Sequence, residues 1–211
     1  MRVSGRMVRD CQVEDDAWSL GNEVLYDLCR AHPRHVSVRE VVGKVWLIGR
    51  AYAAAVERGR GTAAGPGLSN DSFYTEALAP ALIESQLDEC LQSLHALDQI
   101  STEHSAPILL VHGYLVAELA KLTGKGKRSF ASKYLHFHRP LLFFIYDARA
   151  TEAVRALGIR RTRGPRAVGA DAEYAAFVHT LLALREKIAD QFGISLTPRQ
   201  LDRLLLQVEP S

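Results

Sequence analysis

The sequence has few cysteines, and they are scattered. Its 211 residues include only three, Cys11, Cys29 and Cys90. This spacing matches neither a metal site nor a disulfide framework, and it excludes the four-cysteine motif of an iron–sulfur cluster. Because disulfides are rare where thiols are kept reduced, the pattern indicates a cytoplasmic protein.

Membrane-type segments are also lacking. We find no uncharged apolar run near the roughly 20 residues that cross a bilayer, and residues 1–7 lack the apolar core of a signal peptide. We therefore expect no membrane partner. The hydrophobic content of 47% and charged content of 24% are typical of an ordinary globular protein. The length predicts a single all-α domain over residues 1–211, built as one unit or as two packed lobes.

The net charge of +2 hides a strong asymmetry along the chain. Residues 121–166 contain 12 basic and two acidic residues, a net charge of +10, so the remainder carries −8. Segregated charge of this kind is typical of a nearly neutral protein with a polyanion-binding face. The alternative is a solvated basic face without a partner.

Apolar residues recur with helical spacing, and no strand-like alternation exceeds a few residues, so we predict an all-α fold of about eight helices. Residues 1–12 are predicted to be a loose terminus and residues 59–70 a mobile loop. One long helix is expected to continue to Val56, and Pro80 to begin a helix that reaches Leu97. The buried stripe of the first long helix is predicted to contain Trp18, Leu20, Val24, Leu25 and Leu28.

Residues 122–147 contain a helix, a Gly-x-Gly turn and a second helix. Gly124 and Gly126 let the backbone turn tightly and let a phosphate approach it. The N–H groups and dipole of the second helix favour an anion there, and Lys125, Lys127 and Arg128 add positive charge. Pro140 ends the second helix, and Asp147 is predicted to cap the next one. Histidines 136 and 138 are two residues apart on a helix, so they point apart and do not form a metal site.

This segment resembles the helix-hairpin-helix DNA glycosylase superfamily, and within it the 8-oxoguanine DNA glycosylase branch. The resemblance covers roughly residues 105–160 and implies a two-lobed all-α bundle with its hairpin at about 108–139. It also implies duplex DNA as partner and no cofactor. The matching residues are Leu122-Thr-Gly-Lys-Gly-Lys127, Phe130-Ala-Ser-Lys-Tyr-Leu135, Pro140 and Ile145-Tyr-Asp147.

In that family a lysine of the hairpin attacks the sugar, and an aspartate that caps a later helix assists. Asp147 matches the aspartate, and Lys127 matches the lysine if the hairpin has lost one residue. Lys133 matches a later lysine that is not the family's nucleophile. Its place six residues further along the helix suits either a side chain that lines the same cleft or one on an exposed face. We expect Lys127 and Asp147 to meet across one cleft, with Lys133 as the alternative nucleophile. A phosphate-binding lysine is the other interpretation of Lys127.

The leading hypothesis is a base-excision-type enzyme that cleaves the N-glycosidic bond of a damaged or modified base, with strand nicking through a lysine imine. The alternatives are a non-catalytic helix-hairpin-helix DNA-binding module, as in genome defence, and an α-helical adaptor whose basic face meets an acidic protein. The base recognised and the oligomeric state stay open. The predicted DNA-binding residues are Gly124, Lys125, Gly126, Arg128, Arg149, Arg160, Arg161 and Arg163.

Overall fold

The computed structural model describes residues 3–58, 68–162, 164 and 167–208, and within these ranges it contains ten helices and no strand. The all-α prediction is confirmed, although the helices number ten rather than about eight. Residues 59–67 of the predicted mobile loop lie outside the described residues. The helices are α1 (Gly5–Asp10), α2 (Ala17–Ala31), α3 (Val38–Ala51), α4 (Asn70–Ser72, Phe73–Leu78 and Ala79–Glu84 in continuation), α5 (Leu87–Ser93), α6 (Ser105–Thr123), α7 (Arg128–His138), α8 (Ala148–Ala156), α9 (Ala172–Phe192) and α10 (Pro198–Leu206).

The extra helices arise at the N-terminus and at Ser85. The predicted loose terminus contains α1, whose N-cap Ser4 accepts a hydrogen bond from the backbone N–H of Met7, and Val8 and Cys11 are fully buried. The helix predicted to reach Leu97 is split because Ser85 is extended, with ψ of 166°. The extended backbone at Ser85 therefore divides the one predicted helix into α4 and α5.

Pro80 lies in the first turn of the α-helical segment Ala79–Glu84, as predicted, but this segment continues a helix that is already under way. The helix starts at Asn70 and passes through a π-helical stretch, Phe73–Leu78, just before the proline. A proline ring crowds the carbonyl four residues earlier, and the wider π-helical turn leaves room for it. The same stretch holds Tyr74, whose buried hydroxyl donates to the carboxylate of Glu57.

The buried face of α2 differs from the predicted stripe. Leu20 and Val24 are 65% and 64% exposed, whereas Asn22 and Tyr26 are buried. Tyr26 Oη lies 2.7 Å from Nε2 of His136 on α7. Long-range hydrogen bonds of this kind, which helical periodicity does not report, select the face that packs inward.

The helix α3 ends at Ala51 instead of continuing to Val56. Ala53 adopts a left-handed φ of +50°, and the N–H of Ala54 donates to the Gly49 carbonyl at 2.8 Å. A Cβ at Gly49 would lie 3.3 Å from the Ala55 Cα, so the chain reverses closely over this glycine. The reversal turns Tyr52 toward α7, where its ring meets the ring of Phe137 edge-on at 5.4 Å.

The helix α6 is the centre of the fold. Ile108, Leu115 and Leu119 on it are fully buried. In the described part of the chain, α6 alone has the length and composition of a membrane-crossing helix. No segment of this kind was expected from the sequence. A buried core helix satisfies the same test, and α6 packs against α5 and α7.

Two histidines are buried in hydrogen-bonded networks beside α7. Nδ1 of His35 lies 2.6 Å from the Asp88 carboxylate, and its Nε2 lies 2.7 Å from the Tyr134 hydroxyl. Nδ1 of His136 lies 2.8 Å from the Phe143 carbonyl oxygen. Burial lowers the pKa of each imidazole to about 4, so both rings are neutral at pH 7.

The segment before α9 crosses α6 at Gly113. A Cβ there would lie 2.2 Å from the Gly169 carbonyl oxygen and 3.0 Å from the Ala170 Cα, both backbone atoms. We expect Gly113→Ala to destabilise the fold by about 3 kcal/mol, since two backbone segments must separate. The matched control is Gly43→Ala in α3, where a Cβ meets nothing within 4 Å, and it should be neutral or stabilising. Urea unfolding of both variants measures the difference, and equal stabilities would show that the two segments do not touch.

Candidate active site

The turn between α6 and α7 is the base of the site. Gly124 ends α6 with a left-handed φ of +69°, and the Thr123 hydroxyl oxygen lies 2.8 Å from the Lys125 carbonyl oxygen. The helix α7 begins at Arg128, and its N-cap residue Lys127 forms no side-chain cap. The first N–H groups of a helix have no partner within it, so those of α7 are available to an external acceptor.

The side chain of Lys133, in the second turn of α7, is only 3% exposed. Its Nζ lies 3.0 Å from Oδ2 of Asp147 and donates to Oγ of Ser129 at 3.1 Å. It also donates to the Tyr52 carbonyl at 3.3 Å. Three oxygen partners are what a buried ammonium group requires, because burying an unpaired charge is very costly.

The two carboxylate oxygens of Asp147 have different partners. Oδ1 accepts the N–H of Ala150 at 2.9 Å and caps α8, as predicted. Oδ2 faces Lys133, and the side chain remains 31% exposed. The carboxylate thus combines the capping role with contact to a lysine, at a helix N-terminus where its negative charge is favoured.

Lys127 lies apart from this ion pair. Its Nζ donates to the Arg58 carbonyl at 2.6 Å. Burial lowers its pKa, the charge of Lys125 lowers it further, and the carboxylate of Glu57 opposes the shift. Of the two candidate lysines, Lys133 is therefore the one that the structure brings to Asp147, contrary to the placement preferred from the sequence.

Arg128 is engaged inside the protein. Its guanidinium forms two hydrogen bonds to the Asp171 carboxylate, at 2.6 and 2.8 Å, and lies 5.7 Å from the centre of the Tyr146 ring. The same carboxylate caps α9 by accepting the N–H of Tyr174. The paired carboxylate compensates the positive charge of the guanidinium, and the two hydrogen bonds link the start of α7 to α9.

The segment after α8, which carries Arg160 and Arg161, also contacts α9. Arg161 pairs with Glu173 at 3.0 Å. The N-terminal end of α9 therefore anchors this segment through Arg161 and the hairpin through Arg128. Arg149 donates to the Leu206 carbonyl at 3.2 Å and is exposed. The turn residues Gly124, Lys125 and Gly126 are exposed, as is Arg160, and Arg163 lies outside the described residues.

Sequence reasoning missed three residues around the lysine. Tyr52 was assigned to a helix expected to continue to Val56, and no charged residue of α10 was predicted to be a site residue. That helix carries Arg199 and Asp202, paired at 2.8 Å and buried. The signal in the sequence is Asp202 itself, a carboxylate at helical spacing from Leu205 on an otherwise apolar stripe.

Several pockets open on the described surface, and one of them is lined by Tyr146, the neighbour of Asp147 in the chain. Five of them, from about 150 to about 640 Å³ in volume, are all lined by residues other than Lys127, Lys133 and Asp147. The shared cleft expected from the sequence is not among them. Because Lys133 is almost fully buried, a substrate reaches its amine only if neighbouring groups move.

Comparison with protein-family models, with curated proteins and with solved structures found no match to this chain. The Lys133–Asp147 pair and the turn beside it are therefore the features that bear on the function.

Proposed function

We propose that this protein is a DNA-binding enzyme of the base-excision type, which cleaves the N-glycosidic bond of a damaged or modified base. Lys133 is the proposed nucleophile and Asp147 the assisting carboxylate. The observation that carries the proposal is the 3.0 Å contact between a buried lysine and the capping aspartate of the next helix. A paired lysine and carboxylate can exchange a proton, which is what generates a nucleophilic amine.

In the proposed reaction the Lys133 ammonium first transfers a proton to Asp147. The free amine then attacks C1′ of the sugar, and the new N–C1′ bond replaces the bond to the base. The base leaves with that bond's electron pair and receives the proton from Asp147. The carboxylate then faces the positive charge on the nitrogen bonded to C1′. The sugar ring opens as the new nitrogen passes a proton to the ring oxygen, which leaves a protonated imine at C1′. The Asp147 carboxylate then takes a proton from C2′, and the electron pair of that bond expels the 3′ phosphate and nicks the strand.

The DNA would lie on the turn between α6 and α7. Two exposed glycines, an uncapped helix start and the exposed Lys125 suit a phosphate at this turn. Arg149 and Arg160 are exposed as well and are the proposed further phosphate contacts. Such contacts carry affinity without reading sequence, so binding is expected to weaken steeply as salt rises.

A non-catalytic DNA-binding module is the second candidate, and the nearly complete burial of Lys133 favours it. In that case the lysine and Asp147 are a structural ion pair at the start of α8. The turn and its basic residues serve the same binding role in both candidates, so only chemistry separates them.

Borohydride trapping tests the proposal. The protein is incubated with duplex oligonucleotides that each carry one damaged or modified base, and borohydride reduces any imine to a stable amine. We expect a covalent protein–DNA complex with at least one duplex and none with the unmodified duplex. Salt-dependent binding without trapping on the whole panel would leave the non-catalytic module. Absence of binding at low salt would remove both and favour a protein–protein adaptor.

A further inference from the structure

Asp147 is not the sole anchor of the Lys133 amine. The Tyr52 carbonyl accepts a hydrogen bond from Nζ at 3.3 Å, and Nζ lies 5.5 Å from the centre of the Tyr52 ring. A cation close to an aromatic ring is attracted by its π electrons. Tyr52 lies in the turn after α3, so its own side-chain contacts determine where it presents these two groups.

The Tyr52 hydroxyl has two buried partners. It donates to Oδ1 of Asn22 at 2.8 Å and accepts from Nη1 of Arg199 at 3.3 Å. A guanidinium group only donates, so the hydroxyl proton must point to Asn22, and both hydrogen bonds are directionally fixed. The ring is therefore held from α2 on one side and from α10 on the other.

Arg199 is in turn held by Asp202, one turn along α10, at 2.8 Å. A buried ion pair gains little net stability, because desolvation of both charges offsets their attraction. Burial raises the pKa of Asp202 to about 6, Arg199 lowers it and the charge of Asp147 raises it. The negative charge of Asp147 therefore acts electrostatically on the Asp202 carboxyl group.

We propose that Tyr52 and Arg199 are positioning residues: the contacts from Asp202 through Arg199 to Tyr52 hold the Lys133 amine beside Asp147. This inference rests on the proposed function for its role in the reaction, and on the contacts alone for its effect on the amine. Attack on a sugar carbon requires an amine placed to within a fraction of an ångström, and an error of about 1 Å costs about 10²-fold in rate.

Two variants interrupt the chain of contacts without stranding a charge. Tyr52→Phe removes the hydroxyl but keeps the ring and the carbonyl. Arg199→Met combined with Asp202→Leu removes both buried charges together, which avoids the penalty of leaving one unpaired. The matched control is Arg203→Met on the same helix, whose ion pair with Asp16 at 3.1 Å lies outside the network.

The first readout is the single-turnover rate of borohydride trapping. We expect the rate at saturating DNA to fall by about 10-fold or more in Tyr52→Phe and in the double variant. The DNA concentration that gives half of that rate should stay within about twofold, because the hairpin is untouched. Arg203→Met should change neither quantity.

The second readout does not depend on catalysis. Acetic anhydride labels free amines, and mass spectrometry compares the labelling of Lys133 with that of the exposed Lys125 in the same molecule. We expect Lys133 to be labelled about fivefold faster relative to Lys125 in both network variants than in the wild type or in Arg203→Met, because its amine is released from its partners. Circular dichroism confirms that each variant is folded.

The outcomes separate the two proposals. Faster labelling of Lys133 in the network variants, with no trapping by the wild type, would refute the enzyme while the positioning of the amine stands. Trapping by the wild type with unchanged rates and unchanged labelling in both network variants would overturn the positioning role and leave the enzyme.

Discussion

Lys133→Gln will abolish the borohydride-trapped complex, whereas Lys127→Gln will retain it. The expected loss at Lys133 is about 10³-fold or more, the scale of removing a covalent nucleophile. Glutamine keeps hydrogen-bonding capacity toward Ser129 and Tyr52, so the variant should fold. The measurement is the rate of covalent complex formation at saturating DNA, with DNA affinity determined in parallel.

Lys127→Gln is the matched control, since it removes a lysine from the same hairpin. Among the described contacts, it removes the hydrogen bond from Nζ to the Arg58 carbonyl, and it removes one positive charge near the turn. We expect its trapping rate to stay within a few fold, with slightly weaker and less salt-dependent DNA binding. The reverse pattern, with Lys127 essential and Lys133 dispensable, would restore the nucleophile suggested by the sequence and reject the one suggested by the geometry.

Acidification from pH 7 to pH 5 will remove much of the stability of the fold. Burial lowers the pKa of His35 and His136 to about 4 and that of His112 to about 3. In the unfolded chain these groups titrate near 6.5, so the unfolded state binds more protons as the pH falls below that value. The stability that these groups contribute is therefore complete above pH 6.5 and is lost as the pH falls to about 4 for His35 and His136 and to about 3 for His112.

The expected loss at pH 5 is about 2 kcal/mol for each of the three histidines, against a total stability of about 5–15 kcal/mol. Asp202 acts in the opposite direction and offsets about 1 kcal/mol, because its raised pKa stabilises the fold as the carboxylate becomes protonated. Urea unfolding at pH 7, 6 and 5 measures the net change.

His112→Phe isolates one of these contributions. The imidazole stacks on the Tyr174 ring at 3.6 Å, and its Nδ1 has no hydrogen-bond partner among the described residues. Phenylalanine preserves the stacking and removes the titrating group, at the loss of a 3.4 Å hydrogen bond to the Arg128 carbonyl. The fall in stability between pH 7 and pH 5 should be about 2 kcal/mol smaller than in the wild type. A wild-type stability that is flat over this range would mean that the buried rings are not neutral.

Local signals in the sequence predicted local features well. Asp147 caps α8 as predicted, and Gly124 adopts a left-handed conformation in the tight turn that was predicted between α6 and α7. Each of these depends on residues within one turn of the position concerned, and such chemistry can be recognised from neighbouring residues alone.

Features that depend on distant partners were not predictable from the sequence. On the inward face of α2, Asn22 accepts a hydrogen bond from Tyr52, 30 positions away, and Tyr26 forms one with His136, 110 positions away. The choice between Lys127 and Lys133 depends on how the chain returns to Asp147 after Pro140, and spacing along the sequence does not give that path. Alignment to a motif cannot replace the tertiary contact.

One oxygen of Asp147 caps α8 and the other faces Lys133, and these two roles restrict which residues can occupy position 147. Asparagine keeps the acceptor for the cap but turns an N–H toward Lys133, where two donors meet without an acceptor. Serine or threonine caps the helix yet supplies no charge, and glutamate extends one carbon too far to cap in the same geometry. Aspartate alone among the natural side chains meets both demands, so every substitution at position 147 gives up either the cap of α8 or the negative charge that faces Lys133.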